Sequence, residues 1–505
     1  MSEVTPLYLV PALIVLAFFA TITAFKSTFV RVLSLGFLLV SSLLCLLAFV
    51  LKSFVMPDVL GAMFFLLNNG IGEVNVMGFK SLFLTNEFLL AMGLMGLVLI
   101  MVYCIRHRDF NRDPMMLKVV ALTLMIVSFA LNPALKALSM NLGTRNLAEQ
   151  NHKGDFKEYY KEPEALVAPA TSPNLVLIYA ESLEQSYFDE SLFPGLLPQL
   201  KKLKERSVDF SNLQTNMHAT IGGMFSSQCG LPLLVTAAPQ NMDSFLPSTT
   251  CMSDLMGEIG YDMVYMGGAS LEFQSKGGFY QSHGFSEVVG KAALSETLKD
   301  PKYKNYWGVY DDTLLGAAYR KFDTLTQKGS PFGLVLLTID THPPEGHVCK
   351  DCEGLTYEDG SNAYLNAIHC TDFLLSRFVE QIRKHPQGKD TLIVFMSDHL
   401  KNMTSDDPRC VTKLSDRKLT CFMNHPSLPE GKVIDTLGTQ LDVFPTILSF
   451  YGGQDHMGLG VNLLSDASDK AEKALIYDRV TNDGWTKEIL EMICEKESAI
   501  LQSVE

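Results

Sequence analysis

Residues Asn174–Glu181 read NLVLIYAE, six consecutive apolar residues closed by a carboxylate. An apolar run this short does not alternate in the manner of a half-exposed strand, and it predicts a strand buried on both faces. With its core at Leu175–Tyr179, it is matched downstream by Met263–Met266, Gly333–Thr338 and Thr391–Met396. Between these runs lie segments of helical pattern: Leu197–Arg206, Met252–Ile259, Asp312–Thr326 and Asn362–Lys384. Strands alternating with helices predict an α/β/α sandwich around a largely parallel sheet. Such sheets place ligands beyond the carboxyl ends of their strands.

Chemistry gathers at those ends. The first run closes on Glu181, the third leads into Thr341-His342-Pro-Pro-Glu345, and the fourth closes on Asp398-His399. Between the first two lies Asn216-Met-His-Ala-Thr220-Ile-Gly-Gly. Thr220 there has two readings. It is an N-cap ahead of a glycine-softened helix, or it is a nucleophile at a helix N-terminus whose free N–H groups hold an anion. Local sequence alone favours the cap.

Upstream, residues 1–138 are almost uniformly apolar. Leu7–Phe25, Val32–Leu51, Leu82–Ile105 and Met116–Leu131 read as four membrane spans, and Val55–Gly72 as a re-entrant or interfacial helix. Lys26 and Arg31 after the first span, and Arg106, Arg108 and Arg112 after the third, belong on the cytoplasmic side. Both chain ends then fall outside, and the start Met-Ser-Glu-Val-Thr, which carries no basic residue, predicts no cleaved signal peptide. Residues 139–172 form a connector whose stretch GDFKEYYKEPEAL lies on the membrane surface or forms a solvated helix. The globular part spans 173–485 and a helical tail 486–505. A net charge of −14 without any basic tract excludes a nucleic-acid partner.

Eight of the ten cysteines fall in the part placed outside, where disulfides are the expectation. Cys349-Lys-Asp-Cys352 also has the spacing of a thiol redox or zinc pair. The charges at Asp58 and Glu87 sit near the ends of their apolar segments and make a poor transport path.

The runs NLVLIYAESLEQSYFDESLFPGLLPQL, TIGGMFSSQCGLPL, KNYWGVYDDTLLGAAYRKF, LTIDTHPPEG and IVFMSDHL, with DVFPTILSFYGG and GLGVNLLS, resemble the periplasmic phosphoglycerol transferases of osmoregulated periplasmic glucans. These belong with the lipoteichoic acid synthases in the alkaline phosphatase superfamily. The resemblance covers roughly Asn174–Leu464 and implies an alkaline phosphatase/sulfatase-like domain behind a transmembrane helix bundle, in the bacterial inner membrane with the catalytic domain in the periplasm. It implies one divalent metal ion, manganese first and zinc or magnesium next, on Glu181, Thr220, Asp398 and His399, with Thr220 the nucleophile. It places His342 at the substrate phosphate and Lys276 near the phosphoglycerol, with Phe273 and His347 as weaker substrate-binding candidates. It also implies the disulfides Cys229–Cys251 and Cys352–Cys370, while nearness in sequence suggests Cys410–Cys421.

The implied reaction moves phosphoglycerol from phosphatidylglycerol to a periplasmic glucan or other glycan. Glucan-branch relatives extend beyond the equivalent of residue 470, which leaves the acceptor open. A phosphoethanolamine transferase shares the nucleophile and the lipid donor. A sulfatase activity is disfavoured, because Thr220 precedes Ile-Gly-Gly-Met where formylglycine formation needs Cys or Ser before x-Pro-x-Arg. A non-catalytic glycan- or lipid-binding module is the reading from another class.

Overall fold

The structure is a computed structural model. It describes helical positions scattered between 14 and 41, then 114–130, 156–167, 169, 172–234, 245–343, 345–401, 411–465, 470–481 and 484–504. The chain divides into two compact units, Met1–Leu147 and Ala148–Glu505.

In the first unit, the helix Pro114–Ala130 covers the fourth apolar segment. Met115, Val119, Leu122 and Ile126 are exposed on it. Among the described residues, no helix is long and apolar enough to cross a membrane. The third predicted span and the re-entrant segment lie outside the described residues, as does most of the first two spans.

The second unit is built on a sheet whose strands, in chain order, are β1 (Asn174–Ala180), β2 (Val208–Phe210), β4 (Asp262–Gly267), β5 (Glu287–Val289), β6 (Phe332–Leu337), β7 (Thr391–Ser397), β8 (Cys421–Asn424) and β9 (Val433–Ile434). The short β3 (Leu213–Gln214) pairs outside it. Spatial order is β5-β4-β6-β1-β7-β8-β2-β9. All four predicted strands form and lie side by side, with β1 central between β6 and β7, both parallel to it. The sheet is mixed beyond β7, because β8 runs antiparallel to both β7 and β2.

Two cores sandwich this sheet, and the alternation of β1 shows why its sequence is continuously apolar. Leu175, Leu177 and Tyr179 face one core with Phe225 and Phe444. Val176, Ile178 and Ala180 face the other with Phe322 and Leu375. Every residue from Leu175 to Ala180 is fully buried, and each large apolar side chain so placed contributes about 1.5–3 kcal/mol. The first core is covered by the helices Thr220–Cys229 and Gln440–Leu448, the second by Asp311–Lys328 and Ala363–Lys384. The terminal helix Thr486–Val504 packs back through Ile489 and Ile493, with Trp485 just ahead of it stacked on Tyr159.

Register then sets the site. Tyr179 pairs Leu337 on β6, and Ala180 pairs Ser397 on β7. The three strands therefore end level, and Glu181, the segment after Leu337 and Asp398 emerge on one edge.

Candidate active site

Glu181 and Asp398 follow the last residues of β1 and β7, and His399 is next in the chain. The helix Thr220–Cys229 enters this edge by its N-terminus. Ala219 occupies the cap position and Thr220 is the first helical residue. The hydroxyl of Thr220 lies 3.3 Å from Nε2 of His399, so the capping reading fails and the side chain points into the cluster. His399 Nε2 is 3.2 Å from Asp398 Oδ2 and 3.6 Å from Glu181 Oε1. All four residues are buried.

The donor set fits a divalent ion. Nδ1 of His399 lies 2.8 Å from the carbonyl of Leu400. A carbonyl only accepts, so Nδ1 carries the proton and Nε2 offers its lone pair inward. Asp398 Oδ1 accepts the N–H of Ser182 at 3.0 Å, while Oδ2 is buried without a hydrogen bond. An orphaned carboxylate oxygen is costly unless a cation takes it. Ser182, at a positive φ of 54°, donates its hydroxyl to Glu181 Oε1 at 2.8 Å and so orients that carboxylate. Glu181, Asp398 and His399 present ligand atoms within 4.8 Å of one another. Burial, reinforced by Glu181, pushes Asp398 up to about 7. For His399, burial acts downward, but the Asp398 and Glu181 carboxylates outweigh it and raise its pKa. Oxygen and imidazole donors suit manganese, magnesium or zinc alike.

A second group stands beside this one. His342 Nδ1 donates to Pro343 O at 2.8 Å, and burial brings its pKa down to about 4, so the ring is neutral. Lys276 is almost wholly buried, donates to Phe273 O at 2.7 Å and lies 4.6 Å over the Phe273 ring. His347 is half-buried on the same loop as His342, and its backbone N–H donates to Asp340 O at 2.7 Å. The two groups meet through Gln274, whose Oε1 accepts the N–H of Ile221 at 2.9 Å, one residue past Thr220.

Three residues of this edge were not among the sequence candidates. Gln274 adopts a left-handed conformation, as does Ser275 after it; nothing in the sequence signals this. Gln440 is fully buried and ties the segment before Thr220 to Asp398. Trp307 stacks on His342 with ring centroids 3.7 Å apart. The signal for it was the aromatic pair Tyr306-Trp307 ahead of Gly308, inside the run KNYWGVYDD.

Cys229–Cys251 and Cys352–Cys370 are disulfides. The first ties the end of the Thr220 helix to the helix Met252–Glu258. Cys421 is a buried thiol, and Cys410, suggested as its partner, lies outside the described residues. Cys349 is also a buried thiol, with Sγ 3.6 Å from that of Cys370.

Residues 173–453 match the family model described as Sulfatase. Phosphoglycerol transferase I of Shigella boydii is 36% identical over 375 residues, covering 72% of this chain and 48% of that protein. Phosphoglycerol transferase I of Salmonella arizonae is 35% identical over 388 residues, covering 75% and 50%. The chain thus spans about half the length of the curated relatives it matches. Among solved structures, a protein in the alkaline phosphatase superfamily from Vibrio parahaemolyticus aligns with a TM-score of 0.50 at 20% identity, over 65% of this chain and 79% of that one. That likeness speaks to the fold.

Proposed function

The chain belongs to the sulfatase family, and on that premise we infer that it transfers phosphoglycerol from phosphatidylglycerol to a glycan hydroxyl by way of Thr220. The observation that carries this reading is the Thr220 hydroxyl, held 3.3 Å from His399 Nε2 at a helix N-terminus, among buried Glu181 and Asp398. A hydroxyl so placed suits attack on phosphorus, with the helix N-terminus favouring the anionic group.

Glu181, Thr220, Asp398 and His399 would hold one divalent ion, for which manganese is the first candidate, and it would supply the positive charge that makes a threonine hydroxyl nucleophilic near neutrality. In the first half-reaction the Thr220 oxygen forms a bond to phosphorus as the bond to the diacylglycerol oxygen breaks. In the second, an acceptor hydroxyl attacks the phosphodiester on Thr220 and frees it. The leaving oxygen takes a proton and the incoming hydroxyl releases one. With Nδ1 committed to Pro343, Nε2 of His342 is the nitrogen left to relay it.

Lys276 bears on the choice of headgroup. A buried ammonium beside the Phe273 ring attracts a phosphodiester and repels a second ammonium, which favours glycerol over ethanolamine. Phe273 and His347 complete the substrate-binding set. The unit Met1–Leu147 serves as the multi-pass anchor in the inner membrane, with Ala148–Glu505 in the periplasm. Exposed Phe29, Val32, Leu33 and Leu39 support that placement. Anchoring at the bilayer brings the domain to a lipid headgroup and removes part of the cost of meeting it.

The test is to incubate the purified chain and Thr220→Ala with manganese and either phosphatidylglycerol or phosphatidylethanolamine. Diacylglycerol release from phosphatidylglycerol by the wild type, with a phosphoglycerol adduct on Thr220 in the mass spectrum, is the expected result. Release from phosphatidylethanolamine alone would make the chain a phosphoethanolamine transferase. Silence with both lipids would leave a binding module.

A further inference from the structure

We propose that Trp307 is a positioning residue, which fixes the His342 imidazole by stacking on it and is itself held by the Asn305–Asp340 pair. The proposal rests on the transfer reading above, because it concerns the proton relay assigned there to His342.

The indole and imidazole centroids are 3.7 Å apart with planes inclined by 36°. One face of the imidazole is therefore closed to water. Its edge is fixed separately by the 2.8 Å hydrogen bond from Nδ1 to Pro343 O. A face contact and an edge contact together stop the ring turning about its own axis, and Nε2 keeps one direction. Neither contact alone would do so, since a single hydrogen bond is worth only about 0.5–1.5 kcal/mol net.

The support behind Trp307 runs through one carboxylate. Asn305 Oδ1 accepts the backbone N–H groups of Trp307 and Gly308, both at 2.9 Å. Asn305 Nδ2 donates to Asp340 Oδ1 at 2.7 Å, and Asp340 Oδ2 accepts Asp311 N at 2.9 Å. Asp311 in turn accepts the N–H groups of Ile339 and Asp340 at 2.9 and 3.0 Å. Asp340 is two residues before His342, whose N–H donates to Ile339 O at 3.0 Å. The loop carrying the indole and the loop carrying the imidazole thus hang from the same buried acid pair. Val309 N donates to Gly268 O at 3.0 Å and pins the Trp307 loop to the end of β4 as well.

Trp307 is only half-buried, so a core-packing role does not account for this support. Phe273, at 6.3 Å, and Tyr306, at 5.2 Å, continue the aromatic wall from Trp307. The wall brings Lys276, above Phe273, to the same side as the imidazole.

The chain has two tryptophans, Trp307 and Trp485, so Trp307 emission is the difference between wild type and Trp307→Phe. The emission maximum of an indole follows how much of its face meets water. His342→Ala is expected to shift the Trp307 maximum to the red in the wild-type background, because the face now covered by the imidazole opens to solvent, and to leave the Trp307→Phe background unchanged. In turnover, Trp307→Ala is expected to lower kcat about 100-fold with KM within about threefold, the signature of misplacement and not of lost binding. Trp307→Phe, which keeps a stacking face, should return to within about fivefold of wild type. Emission indifferent to His342→Ala overturns the proposal, as does a Trp307→Ala variant that changes KM alone or nothing. Wild-type protein with no phosphodiester turnover sinks the transfer reading instead, and the emission arm, which needs no substrate, still decides the stack.

Discussion

Gln440 donates from Nε2 to the backbone carbonyl of Asp398 at 2.7 Å. Its Oε1 accepts the N–H groups of Asn216 and Met217 at 2.9 and 3.0 Å. One buried amide thus joins the segment entering Thr220 to the end of β7. Gln440→Leu keeps the bulk and removes these partners, leaving two N–H groups and a carbonyl unsatisfied. The expected cost is about 2–3 kcal/mol, read as a lower denaturation midpoint. A fall of about 100-fold in kcat/KM should accompany it, through misplacement of Thr220.

Gly223 lies in the first turn after Thr220, where a Cβ would run into the Asp398 carbonyl. Gly223→Ala should push the helix away from β7 and weaken metal binding and turnover together. Calorimetric titration with manganese checks the first, and diacylglycerol release the second. Gly257→Ala, where nothing stands within 4 Å, is the control and should leave both unchanged.

Metal affinity should depend steeply on pH. Asp398 has its pKa raised to about 7 by burial and Glu181, and it binds a cation only when ionised. Below about pH 7 the apo-protein holds this proton, and each further unit should weaken binding at least about tenfold. The raised pKa of His399 adds to the slope. Titrations at roughly unit intervals from about pH 5 to about pH 8 should show affinity rising and then levelling once the carboxyl is ionised. A flat profile would contradict the placement of Asp398 among the ligands.

Lys473 pairs with Asp442 at 2.9 Å, with both side chains under a tenth exposed. Asp442 also accepts Thr439 N and Val461 N, so its charge stays buried when the lysine is removed. Lys473→Met should cost about 3–5 kcal/mol for that reason, measured by chemical denaturation.

Alkylation of the native chain should spare Cys349 and Cys421, which are buried thiols. Burial also holds both thiol pKa values well above the ordinary range. Both should label after unfolding without reductant, while Cys229–Cys251 and Cys352–Cys370 should survive as linked peptides in the mass spectrum. Labelling of Cys352 or Cys370 before reduction would contradict the second bridge.

Much of this protein was legible in one dimension. Six apolar residues at Leu175–Ala180 specified a strand buried on both faces, because only a sheet covered on both sides accepts such a run. Its closing Glu181, and the Asp398-His399 pair after β7, followed from the rule that parallel strands deliver their ligands at one edge. The left-handed Gln274 was illegible, since a non-glycine residue takes that conformation only when surrounding contacts impose it.

The sequence by itself determined the α/β class, the four adjacent strands β4, β6, β1 and β7 of the eight-stranded sheet, and the kinds of side chain at their ends, because periodicity and residue type are local properties. Tertiary structure alone decided what those side chains do to one another. It turned Thr220 from a plausible cap into a hydroxyl facing His399, left Asp398 Oδ2 without a hydrogen bond and set Trp307 against His342. These contacts join residues far apart in the chain, 179 positions for Thr220 and His399. They depend on strand register and helix placement, which no short window of sequence encodes.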